Sequence, residues 1–350
     1  MPDEPLFLRA CRSEPTERTP IWLMRQAGRY MAEYRAIRKK HDFWTVCQTP
    51  ELACEVTLQP IDAFGFDASI VFSDLLIPLP PMGAPVRFEK GMGPVIEKPV
   101  SSAADVDNLR RIDPQEVGYV AEAIKLIVAA LPADVPLIGF SGAPFTLSSY
   151  LIEGGSSKHY MKTKAFLHQE PEAAHRLFAL LADISADILC MQIEAGCRAV
   201  QIFDSWAGCL DPIDFDIWSG SYIKQMIETI RARHPEVPII AFPKGTGTYI
   251  EKVADTGADV VGVDWTLSLA DARQRVGEGV AVQGNLDPGR LLGPWETLQP
   301  AIDRVLDAAD NGTGHIFNLG HGIYQHTPVD TVKRMTDYVK GESHRWRQKS

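Results

Sequence analysis

Short apolar runs recur along the chain: Ile21 to Met24, Ala68 to Phe72, Val135 to Phe140, Ala199 to Phe203, Val237 to Phe242, Val260 to Val263, Val280 to Gln283 and His315 to Leu319. Each closes on glycine or a polar residue. They are nearly continuous rather than alternating, the pattern of strands buried on both faces of a parallel sheet. Between them lie helical periodicities. Over residues 116 to 131, Val117, Val120, Ala121, Ile124, Ile127, Val128 and Leu131 fall at the three- and four-residue spacing of one helix face. Residues 51 to 64, 171 to 194, 222 to 233, 248 to 256, 268 to 276, 295 to 309 and 329 to 340 also read as helices, several opening on Ser, Thr or Pro.

Strand and helix alternating throughout imply a parallel α/β fold, either an open doubly wound sheet or a closed (β/α)8 TIM barrel, and the count of strands favours the barrel. The connection after the second strand breaks the rhythm, because Pro78, Pro80, Pro81, Pro85, Pro94 and Pro99 forbid a long helix there. Residues 75 to 134 are therefore expected to form an insertion with a Pro/Gly-rich loop and one helix. Within it Val86 to Lys90 and Val95 to Lys98 flank Gly91-Met92-Gly93, a pattern for a small hairpin. No internal repeat or linker divides the chain, so residues 1 to 350 are expected to form one domain, with 1 to 18 and 342 to 350 peripheral or flexible.

Composition narrows the function. The 350 residues are 45% hydrophobic and 23% charged, as in an ordinary water-soluble globular protein. Lys plus Arg 35 against Asp plus Glu 45 gives a net charge of -10, the wrong sign for holding nucleic acid by its phosphates. No apolar stretch approaches the roughly 18 residues of a membrane span, and the N-terminal segment lacks a leader-like apolar run, so a cytoplasmic protein is expected. Cys11, Cys47, Cys54, Cys190, Cys197 and Cys209 show no CxxC and no zinc spacing, as for free thiols in a reducing compartment.

In a barrel the chemistry sits where the strands finish. The residues that follow the runs are Arg25, Gln26 and Arg29, then Ser73 and Asp74, then Ser141, Gly142 and Tyr150. Asp204 and Ser205, Lys244 and Gly245, Asp264, Asn285 and Asp287, and Gly320 and His321 complete the set. It describes a wide polar mouth. Gly245-Thr246-Gly247 is a weak echo of a dinucleotide loop, with Ile250 in the third glycine's place, and reads as a turn opening a helix.

Two stretches, TPIWLMRQAGRY at 19 to 30 and GFSGAPFTLSSYLIEGG at 139 to 155, resemble the signatures of the uroporphyrinogen decarboxylase family. IVFSDLL at 70 to 76, FDSWAG at 203 to 208 and FNLGHGI at 317 to 323 agree, in the family's order, and the resemblance runs from about residue 5 to 340. It implies a (β/α)8 barrel, a homodimer, and cofactor-independent conversion of uroporphyrinogen III to coproporphyrinogen III with loss of four carbon dioxides. It also implies that Arg25, Asp74 and His321 carry catalysis, and that Gln26, Ala27, Gly28, Arg29, Tyr150 and Ser205 join them in binding substrate. Trp44 stands where the family usually has phenylalanine and is left out of the site.

The residue chemistry fits such a substrate. Guanidinium groups of Arg25 and Arg29 grip carboxylates through paired hydrogen bonds. Backbone N–H groups of Gln26, Ala27 and Gly28 suit an anion nest. Asp74 looks misplaced among substrate carboxylates, since two such charges about 4 Å apart repel by roughly 4 kcal/mol at an effective dielectric of 20. A non-aromatic tetrapyrrole, however, turns four N–H groups inward, and an ionised carboxylate has about four lone-pair sites to accept them. Protonating a pyrrole carbon makes an iminium-like electron sink, and Asp74 then stabilises that cation, which leaves no need for metal or cofactor. For the proton donor His321, Tyr150, a water held by Asp74, and Arg25 all stay open, with His321 or a water favoured. Two rivals remain. A zinc-dependent methyltransferase of the same superfamily needs a His-x-Cys that this chain lacks, and a non-catalytic tetrapyrrole carrier needs the arginines but no carboxylate at the ring centre.

Overall fold

The strands in chain order are β1 (Ser69–Ile70), β2 (Val86–Glu89), β3 (Gly93–Ile96), β4 (Leu137–Gly142), β5 (Ala199–Asp204), β6 (Ile239–Pro243), β7 (Val260–Gly262), β8 (Ala281–Leu286) and β9 (His315–Leu319). The computed structural model describes residues 4–89, 93–309 and 313–346. Within it β1 and β4 to β9 form one sheet in sequence order, every neighbour parallel. Seven of the eight apolar runs thus lie in the sheet, and most of their residues are buried, with Phe72, Phe140 and Phe203 partly exposed.

The remaining run, Ile21 to Met24, closes the ring without a full ladder. Ile21 bridges to Phe317, with Trp22 N–H donating to Phe317 O at 3.3 Å and Phe317 N–H to Pro20 O at 2.8 Å. On the other side Asp67 N–H donates to Ile21 O at 2.9 Å, while Ile21 N–H donates to the Asp67 carboxylate at 2.8 Å. A side chain therefore does part of what a strand backbone would do. Arg18 fixes that carboxylate with two parallel bonds of 2.8 and 2.6 Å. The barrel interior is filled, as in other (β/α)8 barrels, by side chains. Trp22 Nε1 donates to Gln283 Oε1 at 2.9 Å and Gln283 Nε2 to Gln201 Oε1 at 3.0 Å, so these buried polar groups satisfy one another.

Helices cover the outside, and their ends follow local chemistry. Pro50–Phe64 opens with proline in the first turn, where its missing N–H costs nothing, and stops at Gly65 at φ +65°. Pro171–Ala195 buries one long face against β4 and the helices Tyr119–Ala130 and Ser221–Arg233. Between β1 and β4 the chain passes through Leu79–Met82, the antiparallel β2–β3 hairpin, Ala103–Asp107 and Tyr119–Ala130. The hairpin's residues 90 to 92 lie outside the described residues. Trp44 anchors the hairpin, donating Nε1–H to Val86 O at 3.1 Å with its ring against Phe88.

From Leu6 onward the N-terminal segment is packed into the fold and is not peripheral. Leu6–Cys11 is a helix with Phe7, Leu8, Ala10 and Cys11 buried. Neighbouring bonds from Arg12 to Glu236 O and from Ser13 to Gly279 O tie it to the starts of β6 and β8, so it stoppers the end opposite the mouth. The tail is also held: the buried Ser343 hydroxyl accepts from Thr19 N–H at 3.0 Å. An amphipathic hexapeptide with no long periodicity carries too weak a pattern for its docking to be read in advance.

Candidate active site

The mouth is assembled by the turns that follow the strands. Arg25 sits at φ +60°, a left-handed conformation unusual for a side-chain-bearing residue, which turns it away from the buried Leu23 and Met24 into solvent. Its side chain lies across Gly322. A Cβ there would come within 2.4 Å of Arg25 Cδ, so only glycine leaves the guanidinium stem its path. The anion nest expected over 26 to 28 is smaller than the sequence suggested. Gln26 N–H is already committed to Leu23 O at 3.0 Å, and its side chain is buried, accepting from Leu23 N–H at 3.3 Å. Gln26 is a turn-former whose carbonyl accepts the Tyr30 hydroxyl at 2.7 Å. Among the described residues no protein acceptor meets the N–H groups of Ala27 and Gly28.

Asp74 follows β1. One oxygen accepts from Leu76 N–H at 2.8 Å, the only protein donor it meets among the described residues. Burial pushes its pKa up from the usual carboxylate range to about 6, with the Leu76 N–H and the Arg25 guanidinium pulling the other way. Tyr150, on the helix Pro144–Glu153, lies within the electrostatic reach of both Asp74 and Arg25, and burial followed by the Asp74 charge pushes its phenol up to about 12. Its ring meets Trp206 edge-on, centroids 5.9 Å apart, and Ser205 immediately precedes Trp206 in the turn after β5.

His321 departs from expectation. Its glycine neighbours suggested a flexible, exposed loop, but Gly320 N–H is bonded to Leu286 O at 2.8 Å and Ile323 N–H to Met24 O at 3.1 Å, and the imidazole is half-buried. Burial, then the Arg25 and Lys244 cations, drive its pKa down to about 3 against a smaller opposing pull from Asp264. The ring is therefore neutral near pH 7. It ends an aromatic row, with Phe140 to Phe203 at 5.6 Å, Phe203 to Phe242 at 6.1 Å and Phe242 to His321 at 6.4 Å between centroids. Polar groups thus surround an apolar floor.

The site gathers Arg25, Asp74, Tyr150 and His321, with Ser205 beside them. Arg29 lies instead in an adjoining cleft with Tyr34, Arg35 and Arg38. Sequence reading left Asp204, Thr146, Ser219, Trp206 and Tyr160 without a role. Asp204, fully buried, accepts from Thr146 Oγ1 and from Ser219 Oγ at 2.6 Å, and Thr146 Oγ1 in turn accepts from Trp206 N–H at 3.3 Å. Tyr160 packs on Trp206 at 5.4 Å from another direction. No sequence spacing links these positions, which meet only through the barrel. Among the described residues no three His, Cys, Asp or Glu side chains converge as a metal site.

Known proteins match this architecture over its whole length. A solved methyltransferase from Methanosarcina mazei superposes with a TM-score of 0.81 at 18% identity, covering 97% of this chain and 99% of its own. At that identity the likeness speaks for the fold alone. Relatives named uroporphyrinogen decarboxylase are much nearer in sequence. The one from Roseiflexus sp. is 51% identical over 95% of this chain and 97% of its own, and that from Chloroherpeton thalassium 46% identical over 98% of both. Residues 2–342 match the family model described as uroporphyrinogen decarboxylase (URO-D). The chain belongs to the uroporphyrinogen decarboxylase family.

Proposed function

We propose that this protein removes the four acetate carboxyls of uroporphyrinogen III, giving coproporphyrinogen III and four carbon dioxides, and that Asp74 is the group around which the reaction is organised. The single observation that carries the reading is the state of that carboxylate: buried enough to be pushed up to about 6, beside the Arg25 guanidinium, with only one protein donor among the described residues. A surface or capping aspartate has no reason to carry that desolvation cost. Four inward pyrrole N–H groups supply the missing donors and favour the ionised form.

The residues then divide the work. Arg25, Tyr150, Ser205 and His321 hold peripheral carboxylates, His321 as a neutral N–H donor, while the partly exposed Phe140 and Phe203 rings, backed by the buried Phe242, take the apolar ring. A proton added to a ring carbon makes the iminium-like cation, which ionised Asp74 stabilises. The acetate C–C bond breaks, carbon dioxide leaves, and its electron pair neutralises the cation. A proton taken up by the exposed methylene carbon completes the methyl group, and the ring carbon returns the first proton. The net change at each acetate is one proton in and one carbon dioxide out. The depressed His321 pKa speaks for water or Arg25 in the first protonation, rather than a resident imidazolium.

Homodimerisation, implied by the family likeness, is part of this proposal, as is the absence of a nucleic-acid partner. Light scattering on the purified protein tests the first. No helix among the described residues is long and apolar enough to cross a membrane. Anaerobic incubation with uroporphyrinogen III in excess chelator, followed by oxidation and chromatography by carboxylate number, tests the activity. Successive seven-, six-, five- and four-carboxylate products are expected. Persistence of the eight-carboxylate species with binding intact points to a carrier.

A further inference from the structure

Lys244 is a cation at the mouth that the reaction scheme above leaves unused. It is the first residue beyond β6, and its main chain is held on both sides: Lys244 N–H donates to Asp204 O at 3.0 Å, and Gly208 N–H donates to Lys244 O at 2.9 Å. The crossing of these two turns admits only glycine, since a Cβ on Gly208 would stand 2.6 Å from Gly245 Cα. The Lys244 side chain is half-buried and lies over the Trp265 ring, its Nζ 5.5 Å from the centroid. Trp265 in turn abuts the loop that carries His321, where a Cβ on Gly320 would come within 2.4 Å of Trp265 N. Lys244 and Arg25 thus bring their charges to bear on the same imidazole. Among the described residues no hydrogen-bond acceptor, and no carboxylate within 4 Å, meets the Lys244 ammonium. Asp264, whose charge also reaches His321, is already engaged, one oxygen by Gly245 N–H and the other by the N–H and hydroxyl of Thr266. A half-buried ammonium kept without an ion pair carries a desolvation cost that the Trp265 ring offsets only in part.

The reaction has a use for such a group. Each acetate takes up one proton, at the methylene carbon left when carbon dioxide departs. The other donors at the mouth are ill suited to supply it: the Arg25 guanidinium keeps its proton, the His321 imidazole is neutral near pH 7, and the Tyr150 phenol is pushed up to about 12. A lysine ammonium gives up a proton more readily than a guanidinium, and a half-exposed one is recharged from solvent. Resting on the activity proposed above, we infer that Lys244 is a further catalytic residue, the general acid that delivers the proton completing each methyl group. The electron pair left behind by carbon dioxide is held in a double bond between the methylene carbon and the ring, and that pair takes the proton from Nζ. One N–H bond breaks and one C–H bond forms. The ring regains its iminium-like charge near Asp74 until the ring carbon returns its first proton, and the neutral amine recovers a proton from water. Nothing is oxidised or reduced.

Lys244→Arg separates charge from acidity, because a guanidinium still suits the Trp265 ring but keeps its proton. In the anaerobic assay its kcat is expected to fall about a hundredfold or more, with KM within about threefold of the parent. Lys244→Ala removes both charge and acid. Ethylammonium added to that variant is expected to restore kcat about tenfold or more, the more acidic fluoroethylammonium to do better at the same concentration, and guanidinium ion to do nothing. Thermal unfolding checks that each variant is folded, and should Lys244→Ala not fold, Lys244→Arg decides alone. A normal kcat in Lys244→Arg, a loss in both variants confined to KM, or rescue by guanidinium as good as by ethylammonium would overturn the inference and leave Lys244 a source of charge only. If the parent converts no octacarboxylate, the activity and the inference fall together. If the parent is active and Lys244→Arg equals it, the activity stands and the inference alone fails.

Discussion

Two aspartates, one ending β5 and one just beyond β1, carry the same perturbation and serve different ends. Burial pushes both Asp204 and Asp74 up to about 6. Asp204 is sealed in the structure, one oxygen holding Thr146 and the other Ser219. Asp74 is half-buried, meets one backbone donor and faces a guanidinium at the mouth. A raised pKa alone therefore does not mark a catalytic carboxylate. The distinction lies in whether its lone pairs are already used. Asp204 fixes the wall that bears Ser205 and Trp206, and Asp74 keeps acceptor capacity for something the protein itself does not supply.

One substitution at each aspartate separates the two roles. Asp74→Asn keeps an acceptor for Leu76 N–H but removes the charge, and kcat is expected to fall by at least about a thousandfold in the anaerobic assay while substrate affinity falls far less. The same variant should be more stable than the parent at pH 8, by on the order of 1–3 kcal/mol in urea unfolding, since it removes a carboxylate that is costly to ionise in place. Asp204→Ala does the reverse. It leaves two buried hydroxyls without their acceptor, costing about 2–4 kcal/mol in the same unfolding experiment, and raises KM more than it lowers kcat. Loss of stability in both variants, or of turnover in both, would erase the distinction.

A smaller effect sharpens the link between Asp74 and its cation. Gly322→Ala forces a Cβ onto the Arg25 stem, 2.4 Å from Cδ, with no left-handed backbone to strain. Arg25 must swing aside. We expect kcat/KM to fall about tenfold with little change in melting temperature, measured by steady-state kinetics and thermal unfolding. An unaltered kcat/KM would mean that Arg25 works equally well from another position.

The barrel was legible because its strands are continuous apolar runs, and seven of them pair as the pattern implies. The eighth closes through the Asp67 carboxylate and Arg18, and a side chain substituting for a ladder leaves no periodicity to read. The helix Ala32–Lys40 was missed because only Tyr34 and Ile37 face inward, too few for a stripe. Pro144–Glu153 was missed for the opposite reason, being buried on nearly every side. At the site, residue types and order placed Arg25, Asp74, Tyr150 and His321 on the mouth, but burial is a property of the fold. It reversed the picture of His321, whose flanking glycines mimic a loose loop, and it withdrew Gln26 N–H from the nest.

That burial has a thermodynamic signature in which the two ends of the mouth oppose each other. Asp74, raised to about 6 in the folded chain from about 3.9 unfolded, holds one proton more when folded between those values, so its contribution to stability falls as pH rises through them. His321, lowered to about 3 from about 6.5 unfolded, holds one proton fewer when folded, so its contribution is present above 6.5 and is lost as pH falls towards 3. Between about pH 4 and 6 the two slopes cancel in the unmodified protein. Each single variant uncovers the other group. Relative to the parent, Asp74→Asn should gain stability by about 1.4 kcal/mol per pH unit from pH 4 to 6 and then level off, while His321→Asn should lose it at the same slope from pH 4 to 6.5. The kinetic counterpart is an acid limb of kcat/KM near pH 6, set by Asp74, that stays in place in His321→Asn. A limb that moves with the histidine would make the imidazole, after all, the group that titrates during turnover.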